Sequence, residues 1–456
     1  MNAPLRVHVE GDVAACHSFA RINRELTARL GRDARFQMSV RETGAAAAPG
    51  GSPRDVTIVH RWPPVLEPPA VGRWVWCQPW EFGALPRTWV EAARGADRVW
   101  AFSTYVREVY RAAGFPVERI AVLPLGVDPA VFRPEGPRHA LPGDRRLRLL
   151  FVGGTIWRKG ADVLLEAWRR AFRADDPVLL VVKEFGQQGV YRGSTRTEEV
   201  RALARGSTGA APVLLIEDEL DDAALASLYR ACDVLVHPYR GEGFALPVAE
   251  AMACGVPAVV TGGGACDDFC DDASTWRLPA RRRAVQPNGY PTLGEAWVLE
   301  PDGDALVATL RGLVSDREGI ARRGAAARAR IAPFTWDRFA ALAAADLLAH
   351  GRGEPRRGRV AADRAAAAAI RADAAVAHGE GRREEAARLL ERAVALDPWA
   401  AGVWSDLAVI LWEGGREAAA CVALRRALDL DPTDRDARAN AEALGAGAAA
   451  PAGSPR

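Results

Sequence analysis

Lysine is almost missing from this chain. Of 60 Lys and Arg residues only two are lysine, Lys159 and Lys183, against 58 arginines. With arginine on nearly every basic position, a retained lysine either survives by chance or marks a need for a compact ammonium. A run of about 18 apolar residues is also lacking, which excludes a membrane-spanning helix. The opening NAPLRVHVEGDVAACHSF has no apolar core of signal-peptide length. Net charge is only +2, which argues against a nucleic-acid-binding face or an acidic tail. The seven cysteines are odd in number and scattered. Cys266 and Cys270 can share a helix face, but two thiols alone make a poor metal site. The expectation is a reduced, cytoplasmic protein with no transmembrane segment and no nucleic-acid partner.

What is present is a soluble-type composition, 49% hydrophobic and 26% charged, in 456 residues, enough for two or three domains. LRVHVEG, DVTIVHRW, RWVWCQPW, DRVWAFS and RIAVLPLG read as buried parallel strands, with ARINRELTARLG a helix after the first. The alternation restarts at LRLLFVGG and runs through VLLVVKEFG, VLLIEDE, DVLVHPY and VPAVVTG. Two such runs predict two doubly wound α/β domains facing a cleft. Residues 1–140 form the first and 141–350 the second, which AALAAADLLAH closes as a helix. GRGEPRRGR, within 351–360, is a basic linker. Beyond it, over 361–445, Asp397-Pro398 recurs as Asp431-Pro432 and Gly381 as Gly415, both 34 residues apart. The tail from 446 to 456 reads as disordered.

DVLVHPYRGEGFALPVAEAMA predicts strand, Gly-rich loop and helix, with Pro247 in the first helical turn. Loop N–H groups beside a helix N-terminus suit phosphate. Glu242 lies in that loop, and Glu250 lies one turn into the helix, where it either accepts from a vicinal diol or merely complements the helix dipole. Lys159 and Lys183 both fall at strand ends of the same domain.

The string Glu242 to Pro257, with FVGGTIWRKGADVLLEAW and VLPLGVDPAVFRP, resembles retaining glycosyltransferases of family four, which have the GT-B fold of two facing Rossmann-like domains and an E-x7-E motif. The resemblance covers roughly residues 5–345. The 34-residue period resembles the tetratricopeptide repeat. These resemblances imply a metal-independent, retaining, hexosyltransferase-type enzyme without a cofactor, using a nucleotide-diphosphate sugar as donor. They place Glu242 at the donor sugar, Glu250 at the ribose and Lys159 at the diphosphate, with Lys183, Arg158, Gly243, Phe244, Ala245 and Leu246 as further donor-side candidates. Arg158 is the candidate substitute for the arginine that the family commonly has where this chain has Gly154. Gln78 and Glu81 stand about where relatives carry a histidine, and His60 ends a different strand. Acceptor-side candidates are Gly11, His17, Trp80 and Glu81, with Trp62 beside them. His17 is as readily a structural histidine, and core packing accounts for most of the 14 tryptophans.

The acceptor is a glycan, a lipid-linked sugar or a protein, and the repeats suit either a protein partner or self-association. A non-catalytic adaptor that binds a partner through its repeats is the alternative. A sugar epimerase or phosphorylase on the same fold is a third reading.

Overall fold

The computed structural model describes residues 3–15, 17–44, 54–142, 147–186, 191–206, 209–287 and 289–443. The tail expected from 446, Cys16 and residues 143–146 of the first interdomain segment lie outside the described residues.

The first domain contains β1 (Leu5–Glu10), α1 (Ser18–Leu30), β2 (Phe36–Arg41), β3 (Val56–Val59), β4 (Arg73–Trp76), α2 (Arg87–Ala93), β5 (Arg98–Ala101), α3 (Thr104–Ala112) and β6 (Ile120–Val122). Its parallel sheet runs β2-β1-β3-β4-β5-β6, so the chain reverses direction between β1 and β3. The β-branched run VTIV of β3 is buried at every position, as a central parallel strand requires. Edge strand β2, FQMSVR, was not legible as a strand because only Phe36 is buried.

The second domain begins with β7 (Leu147–Val152), α4 (Ala161–Ala171), β8 (Val178–Lys183), α5 (Thr197–Ala204), β9 (Val213–Ile216) and α6 (Asp222–Ala231). It continues through β10 (Val234–His237), α7 (Leu246–Ala253), β11 (Ala258–Thr261) and β12 (Thr275–Leu278). The sheet order β12-β11-β10-β7-β8-β9 puts its reversal between β7 and β10. A hairpin of β13 (Ala280–Ala284) and β14 (Trp297–Pro301) follows, then α8 (Gly303–Leu313), α9 (Arg317–Ile331) and α10 (Trp336–His350). The exposed sequence ARRRA gave no sign of β13.

Helix α10, read as closing the second domain, crosses back and packs on α1. Trp100 Nε1 donates to Asp346 Oδ2 at 2.8 Å, and Arg29 pairs with Asp337 at 2.6 Å. The outgoing and returning connections lie side by side at Gly126, where a Cβ would sit 2.1 Å from the Thr335 carbonyl carbon.

The C-terminal region is all helical, with α11 (Val360–Gly379), α12 (Arg383–Leu396), α13 (Ala401–Glu413), α14 (Glu417–Leu430) and α15 (Arg435–Ala443) around an Ala/Leu core. Gly381 and Gly415 close equivalent helices with φ of 78° and 73°, a left-handed conformation that explains the recurring glycine. The repeats dock on the first domain: Trp399 Nε1 donates to the Ala113 carbonyl at 3.0 Å and its ring meets Phe115 edge-on. Arg87 of α2 donates to the Leu430 carbonyl at 2.9 Å.

The β13–β14 hairpin straps the two α/β domains together. Gly83 N–H donates to the Trp297 carbonyl at 2.8 Å, and a Cβ on Gly83 would overlap the indole at 1.9 Å.

Candidate active site

The reversal point of the second sheet leaves a crevice between the loops that follow β7 and β10, the place where open α/β sheets bind ligands. Lys159 arrives on the first loop and Glu242 on the second. Lys159 Nζ donates to Glu242 Oε1 at 2.6 Å, and His237 Nε2 lies 3.1 Å from the same oxygen. Arg158 Nη1 stands 3.7 Å from Glu242 Oε2, and its Nη2 is 3.3 Å from Glu81 of the first domain. Burial alone drives the Glu242 carboxyl upward, but Lys159, His237 and Arg158 outweigh it and hold the group ionised, well below the carboxylate range. Glu81 behaves oppositely: burial raises its pKa against the pull of Arg158.

The sequence RGEGF has glycines because the first domain packs directly on it. A Cβ on Gly241 would lie 2.1 Å from the Glu81 carbonyl oxygen, and one on Gly243 would lie 3.1 Å from Pro79. Ser103 Oγ donates to the Gly243 carbonyl at 2.8 Å. Ala245 takes a left-handed φ of 73° just ahead of α7, Leu246 opens the helix, and Pro247 stands in its first turn as expected. Among the described residues, the backbone N–H groups of Gly241 through Ala245 make no hydrogen bond to protein. A set of buried donors at a helix start beside Lys159 has the chemistry that suits an anion.

Several expected roles need correction. The Phe244 side chain is not in the crevice; it packs on Phe269 and Phe334 in the core. Lys183 does not join Lys159. Its ammonium donates to the Glu184 carbonyl at 2.6 Å and lies 4.1 Å from the Phe185 ring centroid. Burial lowers the Lys183 pKa against the attraction of Glu184 and Asp218. Trp80 offers no face to a sugar, because it is 3% exposed among Phe82, Trp89 and Tyr290, with Nε1 donating to the Ala84 carbonyl. Trp62, by contrast, is 41% exposed beside Trp89 and Tyr290.

Glu250 has both oxygens occupied by protein. Arg21 Nη1 of α1 donates to Oε1 at 2.7 Å, and the Tyr229 hydroxyl donates to Oε2 at 2.9 Å. Its environment is thus an interdomain ion pair; burial raises its pKa and Arg21 opposes that. His17 caps α1, its Nδ1 accepting from Ala20 N–H at 3.2 Å while Nε2 faces Asp12 Oδ2 at 3.4 Å. Gly11 has no room for a side chain: a Cβ would lie 2.0 Å from the His60 carbonyl oxygen. At Gly154 a Cβ would lie 2.4 Å from Tyr191 Cδ2, so an aromatic ring excludes any arginine there. The Gln78 amide donates to the Arg61 carbonyl at 3.0 Å.

The acids of CDDFCDD all have partners within the protein. Asp268 caps α3, accepting from Thr104 N–H at 2.8 Å, and Asp272 pairs with Arg277 at 2.8 Å. Among the described residues no group of three His, Cys, Asp or Glu side chains is placed to hold a metal ion, and no helix is long and apolar enough to cross a membrane.

Two buried histidines give the site a pH signature. Burial pushes His60 down to about 3, and it lowers His237 against the hydrogen bond that His237 donates to Glu242. A folded pKa below the unfolded value means that the unfolded chain binds the proton first. Stability is therefore complete above pH ~6.5 and falls as pH drops toward the folded values, by about 1.4 kcal/mol per pH unit for a single group. Urea midpoints of the wild type should fall between pH 7.5 and 5.5, and His60→Phe should show a shallower fall. Equal midpoints at the two pH values would contradict the assignment of neutral, buried imidazoles.

Residues 146–286 match the family Glycosyl transferases group 1, and residues 377–444 match the Tetratricopeptide repeat family. The first match falls within the second α/β domain and the second on the C-terminal helices; the two facing α/β domains have the GT-B fold that the resemblance implied. Among curated proteins it is similar to the D-inositol 3-phosphate glycosyltransferase of Xylanimonas cellulosilytica, 34% identical over 51% of this chain and 52% of that one. The counterpart in Thermomonospora curvata is 34% identical over 38% of this chain and 43% of its own. The chain thus spans about half the length of the curated relatives it matches. Among solved structures, sucrose-phosphate synthase from Thermosynechococcus elongatus has a TM-score of 0.57 at 16% identity, over 76% of this chain and 98% of that one. Anabaena HepE, solved with UDP and glucose, has a TM-score of 0.52 at 15% identity, over 75% of this chain and 99% of its own. Both share the fold.

His237, Tyr191 and the Arg21–Tyr229 pair around Glu250 were not found by reading the sequence. His237 ends the strand just before the Gly-rich loop, and that position was its one available signal. Arg21 and Tyr229 have none, because their partner is distant in sequence.

Proposed function

We propose that the protein is a hexosyltransferase-type glycosyltransferase that moves a sugar from a nucleotide-diphosphate sugar to a hydroxyl-bearing acceptor, with retention and without a metal ion. The observation that carries this reading is the ionised Glu242, clasped by Lys159, His237 and Arg158 beneath the uncommitted N–H groups of Gly241–Ala245. Those N–H groups and the Lys159 ammonium suit the charge that develops on a departing diphosphate. Glu242 suits the hydroxyls of the donor ring. Its relatives are named for D-inositol 3-phosphate, and HepE was solved with UDP, which makes a uridine donor and a polyol or sugar acceptor the first candidates.

The adaptor reading is favoured by one observation, that both Glu250 oxygens are taken by Arg21 and Tyr229. Thermal-shift titration with UDP, GDP and ADP separates the two. Saturation by one nucleotide should raise the melting temperature by a few degrees, since ligand at about 100 times its Kd adds about 2.7 kcal/mol. That rise should disappear in Lys159→Ala. No rise with any nucleotide would remove the donor site and put the adaptor reading first.

A further inference from the structure

Two pieces of the first domain rest on the Glu242 loop. One is Glu81, whose carbonyl lies against Gly241 and whose carboxylate is 3.3 Å from Arg158. The other is Ser103, whose Oγ donates to the Gly243 carbonyl. Their placement decides how closely the first domain approaches the loop. Each is also held from its far side by the helical repeats, through a separate arginine.

The first route is α3. Ser103 caps its N-terminus, accepting from Val106 N–H. At the opposite end Arg426 of α14 donates from Nη1 to the Ala112 carbonyl at 3.0 Å and from Nη2 to the Ala113 carbonyl at 2.6 Å. Carbonyls at a helix C-terminus have no helical donor, and a cation there complements the dipole as well. Gly114 leaves the room for it, since a Cβ would lie 2.2 Å from Arg426 Nη2. Helix α3, nine residues long, is thus a strut with one end on the repeats and the other on the Gly243 carbonyl.

The second route is the segment from Gly83 to Arg87, just after Glu81. Its backbone pairs with the returning arm of the β13–β14 hairpin. Arg87 N–H donates to the Pro291 carbonyl at 2.9 Å, Leu293 N–H donates to the Leu85 carbonyl at 2.8 Å, and Pro86 faces Thr292 in an antiparallel bridge. The Arg87 guanidinium then reaches the last turn of α14, donating to the Leu430 carbonyl at 2.9 Å and the Asp429 carbonyl at 2.5 Å. The Asp429 carboxylate lies against the hairpin in turn, where a Cβ on Gly294 would be 3.2 Å from Oδ1. A single helix of the repeats carries both attachments. We propose that Arg87 and Arg426 are positioning residues for the transfer reaction, through which α14 sets where Glu81 and Ser103 stand against Gly241 and Gly243. The repeats are then a working part of the site, and not a tethered recruitment module. The effect on rate rests on the glycosyltransferase reading; the mechanical coupling does not.

Methionine at either position keeps much of the arginine stem and removes its donors, so the full chain carrying Arg87→Met, Arg426→Met or both is the test. Hydrogen–deuterium exchange is read over residues 238–247, a stretch that contains no partner of either arginine. It should quicken severalfold in each single variant and further in the double, while circular dichroism shows the fold retained. Release of the nucleotide from its sugar, followed with the sugar nucleotide whose nucleotide stabilises the wild type, should fall in kcat by about tenfold or more, since a misplacement of about 1 Å can cost about 100-fold. Nucleotide Kd should stay close to that of the wild type. Arg87→Lys, which returns a cation to the end of α14, should recover part of the loss. Unchanged exchange over 238–247 in the folded double variant, or turnover at the wild-type rate, would overturn the proposal and leave the two arginines as docking contacts. If the double variant does not fold, the same two readings on Arg87→Met decide. If the wild type binds no nucleotide or shows no turnover, the glycosyltransferase reading is what fails. Exchange alone then decides the coupling, a quickening supporting it and no change removing it.

Discussion

Glutamine in place of Glu242 is expected to lower sugar transfer by about a hundred- to a thousandfold, the range seen when one preorganised electrostatic contact is removed from a buried site. The loss has two sources. Oε1 is the shared anchor of Lys159 and His237, and an amide leaves the ammonium without its counter-charge. The neutral group also accepts more weakly from a donor hydroxyl. Because the uncommitted N–H groups of Gly241–Ala245 are backbone and unchanged by the substitution, nucleotide binding should survive, and the change should fall on kcat at saturating donor. A variant that transfers at the wild-type rate would show the cluster to be scaffolding. Lys159→Ala should differ in kind by weakening nucleotide affinity as well.

The second large effect concerns folding. Arg21→Ala leaves Glu250 buried, with its charge answered only by the Tyr229 hydroxyl, and removing one partner of such a pair costs about 3–5 kcal/mol. Arg21 also lies over the rings of Phe132 and Trp336, at 5.4 and 5.8 Å, so packing is lost with the charge. The melting temperature should drop by several degrees, and Arg21→Met with Glu250→Gln should recover much of it. Recovery separates an ion pair from simple packing, because the double variant removes the charge and retains bulk. An Arg21→Ala protein as stable as wild type would mean that water reaches Glu250.

The α/β pattern was legible because buried parallel strands are apolar at nearly every position, as in VTIV and VLLVVK. The repeats were legible because a left-handed glycine recurs with the period. The motif around Glu242 was legible because loop, helix and proline sit close together in sequence. Other features left no such trace. The ARRRA strand is exposed on both sides, and β2 buries one residue. Trp80 was misread because sequence cannot distinguish a tryptophan under a loop from one on a surface. The surroundings of Glu250 left no trace for a different reason: its partner Arg21 is more than two hundred residues away. The reason for Gly154 left no trace either, because Tyr191, which lies across it, is remote in sequence.

The Trp297 indole on Gly83 has a consequence for how the two α/β domains can part. The ring is half-buried, and any widening of the crevice pulls it off Gly83 and exposes more of its apolar surface to water. Each square ångström of apolar surface so exposed costs about 25 cal/mol. One contact remote from the Glu242 cluster thus acts as a latch that resists separation of the two domains.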